Sequence, residues 1–191
     1  MAFQKLGFIL AGPPGAGKST VVSLITRPYA FVNRPRLEIF SLDKCRLEFL
    51  ERHVPDPKQA YAEAFEHAQA NNKEFSAYVT ECWNATLANN HVVIVDNTNM
   101  TRKSRARWVN DLQAKKFKVV GVEVLAPLAV VIERQALRTD KSVPEQVVRD
   151  MYARQEGFML GTECDYLVVV DGTQDNSGVK FARGFYEEDY A

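Results

Sequence analysis

Residues 12–19 read Gly12-Pro13-Pro14-Gly15-Ala16-Gly17-Lys18-Ser19. A glycine, four residues, then Gly, Lys and Ser is the spacing of a phosphate-binding P-loop. The pattern needs a strand before it and a helix after it. Both are legible: residues 7–11 form a short apolar run bounded by Gly and Pro, and residues 18–26 carry helical spacing. Glycines let successive backbone N–H groups point into one concavity, and the helix start adds positive potential. Lys18 is then placed to reach the outer phosphates, and the Ser19 hydroxyl to ligate Mg²⁺. The expected nucleotide contacts are Gly12, Pro13, Pro14, Gly15, Ala16, Gly17, Lys18, Ser19 and Thr20. The competing reading, a Gly/Pro turn that binds nothing, leaves the full set of fixed positions and flanks unexplained.

Working outward, residues 37–40 read as a second short strand, followed by Ser41-Leu42-Asp43 and a helix over about 44–52. Residues 55–90 hold two helical patterns, one with Tyr61, Phe65 and Ala68, the other with Phe75, Tyr78, Val79, Cys82 and Trp83. Aromatic stripes of this kind pack cores, so both are assigned to packing and not to stacking on bases. The β-branched run 91–95 ends in Asp96-Asn97-Thr98-Asn99, and Thr101 is a candidate cap for a helix reaching about 115. A fourth strand spans 117–125, Pro127 opens a helix to about 137, and a further helix runs from 144 to about 156. Between those helices, the polar run Arg138-Thr139-Asp140-Lys141-Ser142-Val143 suits a mobile lid, with the lid as a whole at about 134–144. Residues 166–170 form a fifth strand closed by Asp171-Gly172-Thr173, and about 174–191 form a tail that could pair at an edge or meet a partner.

Alternating strands and helices imply an α/β fold, a parallel sheet of about five strands with helices on both faces and ligands beyond the strands' carboxyl ends. The chain of 191 residues fits one P-loop domain over 1–191. Its 46% apolar and 25% charged content is ordinary for a globular chain and excludes disordered and collagen-like classes. Lys and Arg number 24 and Asp and Glu number 24. No whole-surface basic field drives nucleic-acid binding, though a local cationic groove remains open. Cys45, Cys82 and Cys164 are too scattered for a disulfide framework or a metal site, and His53, His67 and His91 lack ligand spacing. Free thiols, no membrane span and no leader point to an intracellular, cytoplasmic protein.

Beyond the P-loop, Asp43 and Arg46 sit at a spacing that puts both on one helix face. A carboxylate there could take a proton from an attacking hydroxyl while the arginine holds a neighbouring phosphate; a helix cap with a solvated ion pair is the plain alternative. Asp96 stands where a Walker-B carboxylate would orient Mg²⁺ or hold the P-loop hydroxyl, and equally where an Asx turn would cap the next helix. Arg134 and Arg138 lie four residues apart and point the same way if the helix persists, as cationic donors around a transferring phosphoryl group or as a solvated basic helix end. Arg102, Lys103, Arg105 and Arg107 spread over more than one helix face and read as solvated. No Asn-Lys-x-Asp motif occurs, and the Asp-x-x-Gly at 175–178 lies too near the end for a switch loop, which disfavours a GTPase.

Four segments together resemble the 5′-hydroxyl polynucleotide kinases of phages and animals, over about residues 7–156. They are the P-loop, the Asp43 to Arg46 unit, the stretch Val92-Val93-Ile94-Val95-Asp96-Asn97-Thr98-Asn99, and the segment from Arg134 through Arg138 and Pro144 to Met151-Tyr152. The resemblance implies that Asp43 is the general base, that Arg46 contacts the acceptor's adjacent phosphate, and that Arg134 and Arg138 belong to the lid. Arg138 would then stabilise charge on the transferring phosphoryl, with Asp96 and Asn97 on the substrate side. It further implies ATP as donor, Mg²⁺ as cofactor and a nucleic acid, DNA or RNA, as acceptor. A 3′-phosphatase signature, Asp-x-Asp-Gly-Thr, is not matched, because Val169 stands at its nucleophile position, and no room for such a domain is expected.

The expected function is ATP-dependent transfer of the γ-phosphoryl to a nucleic-acid hydroxyl, foremost a 5′-hydroxyl end. Phage kinases of 5-hydroxymethyluracil in DNA are similar to this family and give the nearest alternative, with a phage-encoded chain acting in host cytoplasm. A small-molecule kinase and a nucleotide-binding regulatory module complete the set. Oligomeric state is not readable from the chain.

Overall fold

The computed structural model describes residues 4–27, 36–54, 60–139, 141, 143–173 and 179–180. Six strands form one sheet in the order β2-β3-β1-β4-β5-β6. They are β1 (Leu6–Ala11), β2 (Leu37–Phe40), β3 (Val92–Asp96), β4 (Lys118–Leu125), β5 (Tyr166–Asp171) and β6 (Val179–Lys180). The first five are parallel, as the sequence predicts. The sixth is an addition: Val179 and Lys180 pair antiparallel with Val170 and Val169, so β5 is not the edge and the tail begins by pairing with it. The rest of the tail, with Phe181, Phe185 and Tyr186, lies outside the described residues, as do Asp140 and Ser142 of the lid.

Seven helices are described: α1 (Lys18–Thr26), α2 (Leu42–His53), α3 (Ala60–Ala70), α4 (Asn72–Asn89), α5 (Arg102–Ala114), α6 (Leu128–Ala136) and α7 (Glu145–Ala153). Strand alternation divides the core between the two sheet faces. Ile9, Val93 and Val95 pack with Phe49, Trp83, Trp108 and Leu112 from α2, α4 and α5. Leu10, Ile94, Val120, Val122 and Val124 pack with Val21 and Val22 of α1. With apolar layers on both faces, strands become near-continuous runs such as Val92-Val93-Ile94-Val95, all buried. A third, smaller cluster of Ala126, Val131 and Val148 joins α6 to α7.

Thr101 caps α5 as its position predicts. Its hydroxyl accepts from the Ser104 N–H at 3.1 Å, and Ser104 Oγ accepts from the Thr101 N–H, closing a reciprocal capping box. The same helix holds the largest correction to the sequence reading. Arg105, expected as part of a solvated basic face, is 0% exposed. All five guanidinium N–H groups are used: two on Glu163 at 2.8 and 2.9 Å, and one each on the carbonyls of Asn99, Glu156 and Gly157. Its plane lies over Phe158, 4.3 Å from the ring centroid. The residue is a buried staple joining the turn after β3 to the segment before β5.

Candidate active site

The carboxyl ends of β1, β2, β3 and β5 open into one cleft of about 900 Å³. The P-loop forms its floor. Gly15 and Gly17 adopt φ of +90° and +102°, a left-handed backbone that Gly enters at no steric cost. Ser19 and Thr20 open α1 onto the cleft. The turn after β3 holds the loop from beside it: the Gly12 N–H donates to the Thr98 carbonyl at 3.0 Å, and Asn99 Nδ2 donates to the Leu10 carbonyl at 2.7 Å. From the other side, the end of β5 presses on the loop. A Cβ on Gly172 would collide with the Ala16 carbonyl oxygen, so only glycine fits there.

Lys18 bends over the loop, donating to the carbonyls of Gly12 at 2.8 Å and Pro13 at 3.0 Å. Burial lowers its pKa to about 8; Asp96 and Asp43 oppose that shift, and Arg138 reinforces it. Burial likewise pushes the Asp96 carboxyl above the usual range, with Lys18 pulling it back and Asp43 raising it further. Lys18, Asp96 and Asp43 therefore form one electrostatic group in the cleft.

Asp43 lies in the first turn of α2 and pairs with Arg46 at 2.8 Å, the side-chain contact the spacing predicts. It has two further partners. The Tyr61 hydroxyl donates to its Oδ1 at 3.3 Å, and Lys141 Nζ stands 3.3 Å from its Oδ2. Burial, then the Asp43 charge, pushes the Tyr61 hydroxyl above its ordinary pKa. Asn97 accepts the Leu42 N–H on Oδ1 at 2.9 Å, which ties the start of α2 to the β3 turn, while its Nδ2 is buried without a partner.

Arg134 and Arg138, expected together in a lid, separate. The helix α6 ends at Ala136, so Arg138 lies beyond it and not on a continuous face with Arg134. Arg134 donates from Nη1 to the carbonyls of Gly172 at 2.7 Å and Gly15 at 3.3 Å, bridging β5 to the P-loop. Arg138 lines the same cleft, near enough for its charge to act on Lys18 and Tyr61. Asp171-Gly172-Thr173 is a turn after β5, closed by Thr173 N–H and Oγ1 on Asp171 Oδ1 at 2.9 and 2.6 Å.

The sequence reading assigned Tyr61 and Phe65 to the core. They line the cleft instead, and Phe65 is 42% exposed. Ala64 and Ala68 take the buried stripe of α3, and their small side chains bring the helix against α2. Ala68, which the sequence places in the same stripe, is buried as expected, and the available signal for the rest is Ala64, one position before Phe65. Lys141 was read only as part of a polar segment, and nothing in the sequence pairs it with Asp43.

A family model described as an AAA domain matches residues 8–158, and the chain belongs to this P-loop family. No curated protein matches it in sequence. Among solved structures it is similar to a putative kinase from Chloroflexus aurantiacus, at 15% identity and a TM-score of 0.57, with 88% of this chain and 89% of that one covered. A gluconokinase from Sinorhizobium meliloti is similar at 16% identity and a TM-score of 0.53, covering 91% of this chain and 86% of that one. A fungal RNA kinase is similar at 13% identity and a TM-score of 0.54, over 94% of this chain and 41% of that one. At such identities the likeness is one of fold: an α/β P-loop kinase-like domain with a nucleotide-binding loop. Among the described residues, no helix is long and apolar enough to cross a membrane.

Proposed function

We propose that the protein is a kinase that moves the γ-phosphoryl of ATP, with Mg²⁺, onto a hydroxyl of a nucleic acid, foremost a 5′-hydroxyl end. The carrying observation is the Asp43–Arg46 pair, at 2.8 Å, in the same cleft as Lys18 and Arg138. A base and an acceptor-side cation thus share one chamber with the phosphate loop. A regulatory nucleotide switch has no use for that arrangement.

The residues fit both groups. The left-handed backbone at Gly15 and Gly17 lets the loop curl into a concavity suited to phosphates. The Ser19 hydroxyl and the Asp96 carboxylate supply hard oxygen donors suited to Mg²⁺, which takes few protein ligands when phosphates provide the rest. Bound there, the ion would neutralise charge building on the β- and γ-phosphate oxygens. Lys18 exchanges its loop carbonyls for phosphate oxygens. Asp43 orients the acceptor hydroxyl and takes its proton as the oxygen attacks the γ-phosphorus and the bond to the β-phosphate breaks. Arg46 holds the acceptor's adjacent phosphate. Arg138 contributes where charge spreads over the equatorial oxygens, and Arg134 keeps the donor wall closed. The single domain proposed for residues 1–191 places all of this in one unit.

A second reading, phosphorylation of 5-hydroxymethyluracil within DNA, draws support from a cleft of about 900 Å³, ample for an extruded base. Transfer of labelled γ-phosphate to 5′-hydroxyl DNA and RNA, and to end-blocked duplex bearing internal 5-hydroxymethyluracil, decides between them. Label on ends supports the first reading, label only on the internal base replaces it with the second, and label on neither overturns both.

A further inference from the structure

Phe65 is a large aromatic ring, 42% exposed, on the wall of a working cleft and not on the outer surface. The Arg46 guanidinium carbon sits 5.2 Å from its centroid, while Nη1 of the same guanidinium holds Asp43 at 2.8 Å. Ring and carboxylate are therefore one guanidinium apart. Tyr61, one helical turn before Phe65, completes the link by donating to Asp43.

The chemistry around the ring changes over a short distance. Ala62 and Glu66 line the cleft from α3 beside it, and Leu24 lines the same cleft from α1. An apolar wall with one carboxylate repels phosphate and accepts N–H groups, which suits the base of a nucleotide and not its backbone. The cation for the backbone is Arg46, at the edge of the same patch.

Resting on the nucleic-acid reading above, we infer that the α3 wall centred on Phe65 is a stacking subsite for the base of the nucleotide that carries the acceptor hydroxyl. The spacing also favours one acceptor. A hydroxyl two bonds from a ring seated on Phe65 would have to reach past the Arg46 guanidinium to meet Asp43. A 5′-hydroxyl, separated from its base by the sugar, covers that gap. Stacking is indifferent to base identity, so the subsite demands a base without choosing among them.

The test compares 5′-hydroxyl oligonucleotides whose first nucleotide is either normal or abasic, with wild type, Phe65→Ala and Phe65→Trp. For wild type, acceptor KM is expected to be about tenfold higher on the abasic strand. Phe65→Ala is expected to give the same KM on both strands, and Phe65→Trp to restore the difference. Equal KM values in wild type, or a Phe65→Ala enzyme that keeps the full tenfold ratio, overturn the subsite while leaving the kinase assignment standing. Wild-type protein that labels neither strand overturns the underlying reading instead. The ratio within each variant is its own control for folding, and Phe65→Trp keeps a ring in place should the alanine form misfold.

Discussion

Lys141 Nζ stands 3.3 Å from Oδ2 of Asp43, whose other oxygen carries Arg46 at 2.8 Å. The proposed base thus begins with a cation on each oxygen, one from its own helix and one from the segment between α6 and α7. Cations at a carboxylate disfavour its protonation, and an incoming substrate offers phosphates to which Lys141 can transfer. Asp43→Asn keeps the shape and removes the base. It is expected to lower transfer by about 10²–10⁴-fold while ATP affinity stays within about threefold. Rapid-quench transfer and calorimetric ATP binding measure the two separately; wild-type transfer by the asparagine form would take the role from Asp43.

The separation of Arg134 from Arg138 gives two different kinetic signatures. Arg134 bonds the carbonyls of Gly15 and Gly172, so Arg134→Ala is expected to raise KM for ATP by about tenfold with a smaller effect on kcat. Arg138→Ala is expected to lower kcat by about 10²–10³-fold with little change in ATP affinity. Steady-state kinetics over ATP concentration separates them, and the reverse pattern would exchange the assignments.

Lys18 carries a pH dependence of known sign. Its pKa is lowered from the ordinary 10.5 to about 8, because burial disfavours its charge. Bound phosphates favour the charged form, so above pH 8 nucleotide binding must take up a proton. ATP affinity is expected to fall by up to about tenfold per pH unit above 8. Calorimetry at pH 8.5 in two buffers of different ionisation enthalpy should show proton uptake, and Lys18→Arg should flatten the slope. A constant affinity from pH 7 to 9.5 would contradict this account.

Arg105 is fully buried and pairs with the partly buried Glu163, so the loss of either partner strands a charge. Arg105→Ala is expected to lower unfolding free energy by about 3–5 kcal/mol, and Arg105→Met combined with Glu163→Gln to lower it less. Burial alone would raise the Glu163 pKa, but hydrogen bonds from Arg105 and the Met159 N–H outweigh it and hold the group below its ordinary 4.5. A depressed folded value means that this stability is present above pH 4.5 and is lost as pH falls through the folded value. Urea titrations at pH 7 and pH 4 should show the Arg105→Ala penalty shrink in acid.

The parallel sheet and phosphate loop were legible because each signal is local. Glycine spacing, apolar runs and the Thr101 cap all act within a few residues of the structure they specify. Arg105 was misread because charge was taken to settle exposure, whereas periodicity alone was the better guide. Trp108, Val109 and Leu112 are buried at spacings that place position 105 on the same stripe. The Lys141–Asp43 contact and the Gly172 approach to Ala16 span 98 and about 156 residues, and no pattern within one segment encodes such distances. Tyr61 and Phe65 fall between these cases, since their helix was legible but the face it would bury was not.

The fit of Gly172 against Ala16 also sets an order of events in the making of the protein. The phosphate loop leaves the ribosome well before the strand that walls it, β5, which ends about 150 residues later at Asp171. Domains emerge from their amino end over many seconds. Throughout that time the loop lacks its β5 wall and the Arg134 bridge to the Gly172 carbonyl. A nascent chain therefore carries the phosphate-binding sequence without the complete phosphate-binding site, and nucleotide reinforces only the finished fold.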